Sequence, residues 1–206
     1  MIKLFLFYIS SCFHFFFNLK MLMFVNRIMT LLRSYWYRKE FATIGSDVLL
    51  GKSFNLLGGD CIKIGDHVSF GRNCVLTAWK SYRGKILTPN IVIRSNCHFG
   101  EYNHITSTNE IYIDTGLLTG RWVTISDNSH GETNLESLKT TPIERPIYSK
   151  GPVRIGKNVW LGDKVTILPG VTIGDGVVVG ANSVITKSIP PYSVVVGNPA
   201  HIINRQ

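Results

Sequence analysis

Three histidines of this chain stand where their side chains could take part in chemistry near neutral pH. His98 and His104 are six residues apart, and His130 lies in the segment ISDNSHG at 125–131. Imidazole, with a reference pKa of about 6.5, can accept a proton from a hydroxyl group or bind a metal ion such as zinc. The simplest alternative is that each is a solvated surface histidine, so the elements that position them decide the question.

The strongest pattern in the chain is a six-residue period. An aliphatic residue opens each unit of the C-terminal segment: Ile155, Leu161, Ile167, Ile173, Val179 and Ile185. The fifth position is also small and mostly apolar: Val159, Val165, Val171, Val177 and Ser183. A fixed period of this kind predicts a solenoid of short strands separated by tight turns, with three hexads in each coil and both positions facing the core.

The same period can be followed back to Ile44, with two long interruptions at 77–90 and 130–152. Loops that leave a solenoid are where specificity is normally added, because packing fixes the coils themselves. Between Ile105 and Ile113 the phase shifts by two residues, which predicts a β-bulge at a corner. Asn103 falls at an inward position and indicates either a buried polar contact or an error of phase.

The hexad phase also predicts that the histidines lie on different faces of the solenoid and that two cysteines face its core. His98 and His104 would project from successive faces of one coil, so they should diverge rather than share a metal ion with His130 as in the γ-class carbonic anhydrases. Cys74 and Cys97 fall at inward positions, and no CxxC pair is present among the four cysteines. We therefore expect no metal site, buried thiols and a reducing compartment.

The composition fits one solenoid domain with an anionic partner. Of the 206 residues, 45% are hydrophobic and 17% charged, and the net charge is +9. The partner could be a phosphorylated ligand, an acidic membrane surface or nucleic acid. No basic and aromatic pattern of a known nucleic-acid module is present, so nucleic acid is not expected.

Residues 1–40 form a different segment, which precedes the solenoid at 41–203. Its apolar stretch at 4–19 contains His14 and is shorter than the roughly 20 residues of a spanning helix. No small-x-small cleavage site argues for a signal peptide. Two interpretations stay open, a membrane-associating helical segment and a cap on the first coil; a true span or initiation at Met21 are further alternatives.

Beyond the period, the C-terminal fifty residues carry specific motifs: VWLG at 159–162, LPGV at 168–171, GANSV at 180–184, TK at 186–187, IPP at 189–191 and GNPA at 197–200. With these motifs the chain resembles the hexapeptide-repeat acyltransferases, in the branch of galactoside, maltose, nodulation-factor and O-antigen acetyltransferases. The resemblance implies an all-β fold, a left-handed parallel β-helix. It also implies a homotrimer that binds acetyl-CoA in a groove between subunits.

In that family a single histidine before the extruded loop is the general base, and the matching position is His130. The role suits a neutral imidazole, which can take the proton of a sugar hydroxyl as its oxygen attacks a thioester. Asp127 is one candidate to orient the ring, and a backbone carbonyl is the other; Asp127 is also a candidate contact of the acceptor.

The resemblance also assigns a donor site. Trp160 would lie near the thioester or pack in the trimer, and Asp163 replaces the small polar residue that usually contacts the pantetheine arm. Ala181 would hydrogen-bond that arm through its backbone, and Thr186 and Lys187 would lie near the adenine and phosphates.

The chain departs from the galactoside and maltose enzymes at two places. Their two C-terminal arginines are replaced by His201 and Asn204, and Arg205 is a candidate for the lost charge. Their first acceptor-binding asparagine falls near Gly100, which leaves Asn103 and His104, or Glu101, as candidate acceptor contacts.

Together these features predict an O-acetyltransferase that moves an acetyl group from acetyl-CoA directly to a hydroxyl of a sugar or polysaccharide precursor. We expect it in the cytoplasm, either free or as a peripheral protein on the inner face of the membrane. The alternatives are a serine O-acetyltransferase, a nucleotide-sugar N-acyltransferase and a non-catalytic solenoid scaffold.

Overall fold

The computed structural model describes residues 2–205, apart from the side chains of Phe16 and Arg205. Two helices come first, α1 at Ile2–Phe16 and α2 at Leu19–Tyr37. Asn18 is extended between them and accepts a hydrogen bond from the Met21 amide (3.0 Å), so it caps the start of α2. A short 3-10 helix, Arg38–Glu40, leads into the solenoid.

The remainder is a left-handed parallel β-helix with three faces, as the resemblance implied. The first sheet stacks Thr43–Ile44, Ile62–Ile64, Asn90–Ile93, Glu110–Ile113, Val153–Ile155 and Thr172–Ile173. The second stacks Leu49–Leu50, Ser69–Phe70, His98–Phe99, Leu118–Thr119, Trp160–Leu161, Val178–Val179 and Ser193–Gly197, and ends on the antiparallel strand Ala200–Arg205. The third stacks Asn55–Leu57, Val75–Ala78, His104–Ser107, Thr124–Ser126, Thr166–Ile167 and Val184–Ile185.

The geometry of one hexad explains the period. The first and fifth residues point inward and are buried, as Leu161 and Val165 show at 0% exposure. The fourth residue makes the turn in the left-handed region, for example Asn158 (φ 55°) and Lys164 (φ 57°). The second residue is small because coils stack closely: a Cβ on Gly51 would lie 2.2 Å from the carbonyl oxygen of Gly71. The predicted inward positions are therefore confirmed.

The predicted β-bulge between Ile105 and Ile113 is wrong. The strands His104–Ser107 and Glu110–Ile113 run in unbroken register with the strands of the coil before them. The two extra residues lengthen the strands on either side of one corner, so Ile111 and Ile113 both face the core.

The inward asparagine is a structural residue, and the hexad phase at Asn103 is correct. Its Oδ1 accepts a hydrogen bond from the Val123 amide (2.6 Å), and its Nδ2 donates to the Gly100 carbonyl (3.2 Å) and to Thr119 Oγ1. Every polar atom of the buried side chain is thus satisfied inside the solenoid.

All four cysteines are free. Cys74 and Cys97 are buried in the core as predicted, and this burial raises the pKa of both thiols. A higher pKa keeps a thiol protonated and unreactive, which fits a packing role.

The end of α2 covers the first coil. Arg33 donates to the Leu50 carbonyl (3.0 Å), and Ser34 Oγ accepts from the Leu50 amide (2.8 Å). Arg38 donates to the carbonyls of Ile44 and Gly45. The polar end of α2 therefore forms the cap, whereas the apolar residues before Arg33 are mostly exposed.

No single helix in the described part of the chain is long and apolar enough to cross a membrane. By length and composition α1 and α2 together could, as a pair bent by 46°.

Candidate functional site

The two long loops leave the solenoid at the same corner, from the third sheet to the first, and meet. The first, 79–89, contains the hairpin Ser81–Tyr82 and Lys85–Ile86. The second, 127–152, contains the strands Ser129–His130 and Ile147–Tyr148 and a short helix α3 at Leu135–Lys139. The hydroxyl of Tyr82 donates to the Ile143 carbonyl (3.0 Å), and Arg83 Nη1 donates to the same oxygen (3.1 Å). The loops are thus tied to each other.

Between these loops and the third sheet lies a cleft of about 580 Å³. The floor of the cleft is formed by three neighbouring strands of the third sheet, whose paired residues form two rows. The first row is Asn55, Val75 and His104, and the second is Leu57, Thr77 and Thr106. The rest of the lining is Leu56, Trp79, Tyr82, Thr108, Asn128, His130 and Ile147. Apart from two histidines and Tyr82 the lining contains no ionisable side chain, that is no Asp, Glu, Lys or Arg.

His130 lies exposed at the rim of this cleft, in the two-stranded pairing with Ile147. Its Nδ1 is 3.4 Å from the hydroxyl oxygen of Tyr82, and the two rings meet edge to face with centroids 5.6 Å apart. The imidazole is therefore held from one side by an aromatic residue of the other loop.

The expectation that Asp127 orients this ring, or contacts the acceptor, is wrong. Asp127 is fully buried and its carboxylate faces the corner of the solenoid. It accepts hydrogen bonds from the Ser107 hydroxyl (2.5 Å) and from the amides of Thr108 (2.8 Å) and Asn109 (3.0 Å). A carboxylate with this many donors braces the corner from which the second loop starts.

Of the three candidate acceptor contacts Glu101, Asn103 and His104, only His104 lines the cleft. Its side chain reaches solvent, yet the cleft walls remove part of its hydration and lower its pKa, which favours the neutral imidazole. Asn103 is buried and fully hydrogen-bonded, so it does not reach an acceptor. In the same cleft the buried Oγ1 of Thr77, which pairs in register with Thr106, has no hydrogen-bond partner within the described chain.

The histidines are separated as their spacing predicted. His98 lies on the second sheet, where its Nδ1 is 2.9 Å from the hydroxyl of Ser69, and His104 lies on the third. Within residues 2–205 no group of three or more His, Cys, Asp or Glu side chains could hold a metal ion.

The residues predicted for the donor site lie elsewhere on the solenoid. Trp160 stands outward on the second sheet, half-exposed between Leu118 and Val178. Ala181 follows at the next corner, and Lys187 is exposed beyond the third sheet. None of these three residues lines the cleft that contains His130 of the same chain.

Three other residues predicted for the donor site lie in the described part of the chain. Asp163 Oδ1 accepts from the Arg121 amide (2.8 Å), so this carboxylate joins two coils at a corner, and its contact with pantetheine stays a prediction. Thr186 is half-buried beside Lys187, and His201 is exposed on the last strand, paired with Val196. The side chain of Arg205 lies outside the described residues.

The sequence shows the interruption at 77–90 but does not identify the residues of this first loop that line the cleft. Trp79 and Tyr82 line the cleft, yet neither belongs to a hexad or a family motif. The available signal was the position of the two breaks: both follow a third-sheet strand, so both loops must leave the same edge of the solenoid.

Comparison with known proteins gives consistent matches. The family model described as bacterial transferase hexapeptide (six repeats) matches residues 152–187. A putative lipopolysaccharide biosynthesis O-acetyl transferase of Escherichia coli (strain K12) is 35% identical over 175 residues, which is 80% of this chain and 88% of that protein.

Two solved structures are similar in fold. The maltose O-acetyltransferase of Clostridium difficile 630 is 27% identical, with a TM-score of 0.57, over 84% of this chain and 74% of that one. The N-acyltransferase AntD of Bacillus cereus, solved with dTDP and 3-hydroxybutyryl-CoA, has a TM-score of 0.68 at 21% identity and covers 84% of this chain and 88% of its own.

Proposed function

The chain belongs to the hexapeptide-repeat acyltransferases, and on this basis we propose that it transfers an acetyl group from acetyl-CoA to a hydroxyl of a sugar or polysaccharide precursor. The observation that carries the proposal is His130 at the rim of an uncharged cleft. The names of the Escherichia coli and Clostridium difficile relatives, both O-acetyltransferases, support the same acceptor class.

The lining of the cleft favours a hydroxyl over an amine. Most amino groups are protonated near pH 7, and a buried ammonium needs a carboxylate partner. The cleft offers none among its lining residues, whereas Trp79, Thr106 and Asn128 provide an aromatic ring and neutral hydrogen-bonding groups. These groups suit a neutral sugar ring.

In the proposed reaction His130 acts as the general base. As the acceptor oxygen attacks the thioester carbonyl, the imidazole takes the hydroxyl proton. The new C–O bond forms, the C–S bond breaks, and the imidazolium returns the proton to the departing thiolate. The products are an acetyl ester and CoA, with no acyl-enzyme intermediate.

The donor site requires a second copy of the chain. Trp160 lies on the second sheet, Ala181 at the corner after it and Lys187 beyond the last strand of the third sheet, and none of them lines the cleft of the same chain. We propose that acetyl-CoA binds in a groove between subunits of a homotrimer. Lys187, and His201 on the last strand, would face the CoA phosphates.

The test is acetyl transfer by the full-length protein to a panel of neutral sugars and matched amino sugars, followed as thiol release. We expect an alkali-labile product from neutral sugars, because esters are hydrolysed by mild alkali and amides are not. An alkali-stable product formed with amino sugars alone would identify an N-acyltransferase. Failure of calorimetry to detect any binding of acetyl-CoA would support the scaffold alternative.

We also propose that residues 2–32, the N-terminal arm, insert into an anionic membrane. Leu4, Phe5, Leu6, Phe7 and Tyr8 are each 57–65% exposed, so α1 is apolar all round, a pattern typical of helices in lipid or in a protein core.

The polar and charged side chains of the N-terminal arm are also compatible with an anionic membrane. The hydroxyls of Ser10 and Ser11 both donate to the Phe7 carbonyl, so they are satisfied within the helix, as a lipid environment requires. The arm contains Lys3, Lys20 and Arg27 and no acidic residue, which favours anionic headgroups. This placement would keep the enzyme at the cytoplasmic face, where a lipid-linked sugar could reach it.

Deletion of residues 2–32 is expected to abolish sedimentation with vesicles of phosphatidylglycerol and phosphatidylethanolamine. The deletion leaves the cap from Arg33 onward in place, so acetyl-CoA binding should be retained. The matched control replaces Leu135 and Leu138, exposed apolar residues of the second loop, by serine, and should still sediment. Equal sedimentation of the deletion variant and the full chain would contradict the proposal.

A further inference from the structure

We propose that Tyr82 is a positioning residue that holds His130 in the tautomer and orientation needed by a general base. This inference rests on the proposed function, in which His130 is that base. It assigns a role to the first loop, which contributes no hexad and no family motif.

The single proton of the Tyr82 hydroxyl determines which nitrogen of the His130 ring is protonated. A tyrosine hydroxyl has one hydrogen to donate and lone pairs to accept with. Tyr82 donates that hydrogen to the carbonyl oxygen of Ile143, at 3.0 Å. Toward His130 Nδ1, at 3.4 Å, the same oxygen can then only accept. The proton of the neutral imidazole is therefore on Nδ1, and Nε2 carries the lone pair that can take the acceptor's proton.

The geometry limits the ring as well as its proton. The edge-to-face contact of the two rings restrains rotation of the imidazole about its side-chain bonds. The other candidate for this task, Asp127, is bonded to the Ser107 hydroxyl and two backbone amides. Tyr82 is the hydrogen-bond partner of the His130 ring within the described part of the chain.

Tyr82 is itself held in place at both ends. It precedes the two-residue hairpin turn Arg83 and Gly84, where both residues have positive φ (47° and 79°), as in a type I′ turn. Its hydroxyl is fixed by Ile143 of the second loop, whose carbonyl also accepts from Arg83 Nη1. The positioning of His130 thus depends on the hydrogen bond that Tyr82 makes to the second loop.

The test is Tyr82→Phe in the full-length protein, which removes the hydroxyl and keeps the ring. We expect kcat to fall about tenfold, the worth of one neutral hydrogen bond, with little change in KM for acetyl-CoA. With ¹⁵N-labelled histidine, NMR should show His130 as the Nδ1–H tautomer in the parent protein. In the variant it should show a mixture of tautomers.

Arg83→Ala is the matched control, since it removes the other contact to the Ile143 carbonyl without touching the imidazole. It should leave the tautomer unchanged. A Tyr82→Phe variant with unchanged kcat and an unchanged NMR signature would overturn the inference.

A second variant, His130→Asn, distinguishes failure of the Tyr82 inference from failure of the proposed function. If His130→Asn is inactive while Tyr82→Phe is fully active, only the role of Tyr82 fails. If His130→Asn is fully active, the general base itself is wrong. In the His130→Asn background the Tyr82→Phe change should have no further effect on kcat, because the residue it positions is gone.

Discussion

Replacement of His130 by asparagine is expected to lower kcat/KM for acetyl transfer by about 10²–10⁴-fold, the usual contribution of a positioned general base. Asparagine keeps a polar side chain at the exposed rim of the cleft and cannot take up the hydroxyl proton. Because the residues predicted to bind acetyl-CoA (Trp160, Ala181 and Lys187) do not include His130, acetyl-CoA affinity should stay within about twofold of the parent value. The measurements are steady-state thiol release and calorimetric titration of acetyl-CoA.

The control for this experiment is His67→Asn. His67 is an exposed histidine at a solenoid turn, with Nδ1 3.3 Å from the Asp47 carboxylate and φ of 56°, a conformation that asparagine accepts. It should keep the parent activity. Parent-like kcat/KM in the His130 variant would show that the proton is taken by another group, and His104 in the same cleft would be the next residue to replace.

Replacement of Asp127 by alanine is expected to lower the free energy of unfolding by about 3–5 kcal/mol. The carboxylate is fully buried, and its loss leaves the Ser107 hydroxyl and the amides of Thr108 and Asn109 without their acceptor. Each buried donor without a partner costs about 1–3 kcal/mol, and the collapse of the corner recovers part of that. Thermal unfolding should show a fall in Tm on the order of 10 °C.

Asp163→Ala is the matched change for Asp127→Ala. Asp163 is exposed, and its Oδ1 accepts one hydrogen bond, from the Arg121 amide. Water can replace that bond, so we expect a loss of at most about 1 kcal/mol. If the two variants were equally stable, the bracing role of Asp127 at the base of the second loop would be wrong.

The coil and its core could be read from the amino-acid sequence because the hexad is a local rule. Leu161 and Val165 face inward, and Gly51 is required, since each coil packs on the one before it at a fixed spacing. The same rule placed Cys74 and Cys97 in the core and separated His98 from His104. Asn103 is polar at an inward position, yet the hexad phase is correct there. Its side-chain amide forms hydrogen bonds with backbone groups of its own and the adjacent coil.

The surroundings of the candidate base could not be read in this way. Tyr82 and His130 are separated by 48 residues, and both lie in segments without a period. Asp127 stands three residues before His130, yet its carboxylate turns inward to the corner donors. Proximity in sequence therefore suggested the wrong partner for the ring.

The solenoid, its phase, its two interruptions and, through its motifs, the family can all be read from the amino-acid sequence. Which side chains surround His130 depends on the folded molecule, because the two loops leave one corner and meet only after the coils between them have stacked. The packing of a hexad depends on residue types within a few positions along the chain, so the amino-acid sequence shows it directly. Contacts between extruded loops depend on where whole coils place their ends, and no local pattern in either loop records that.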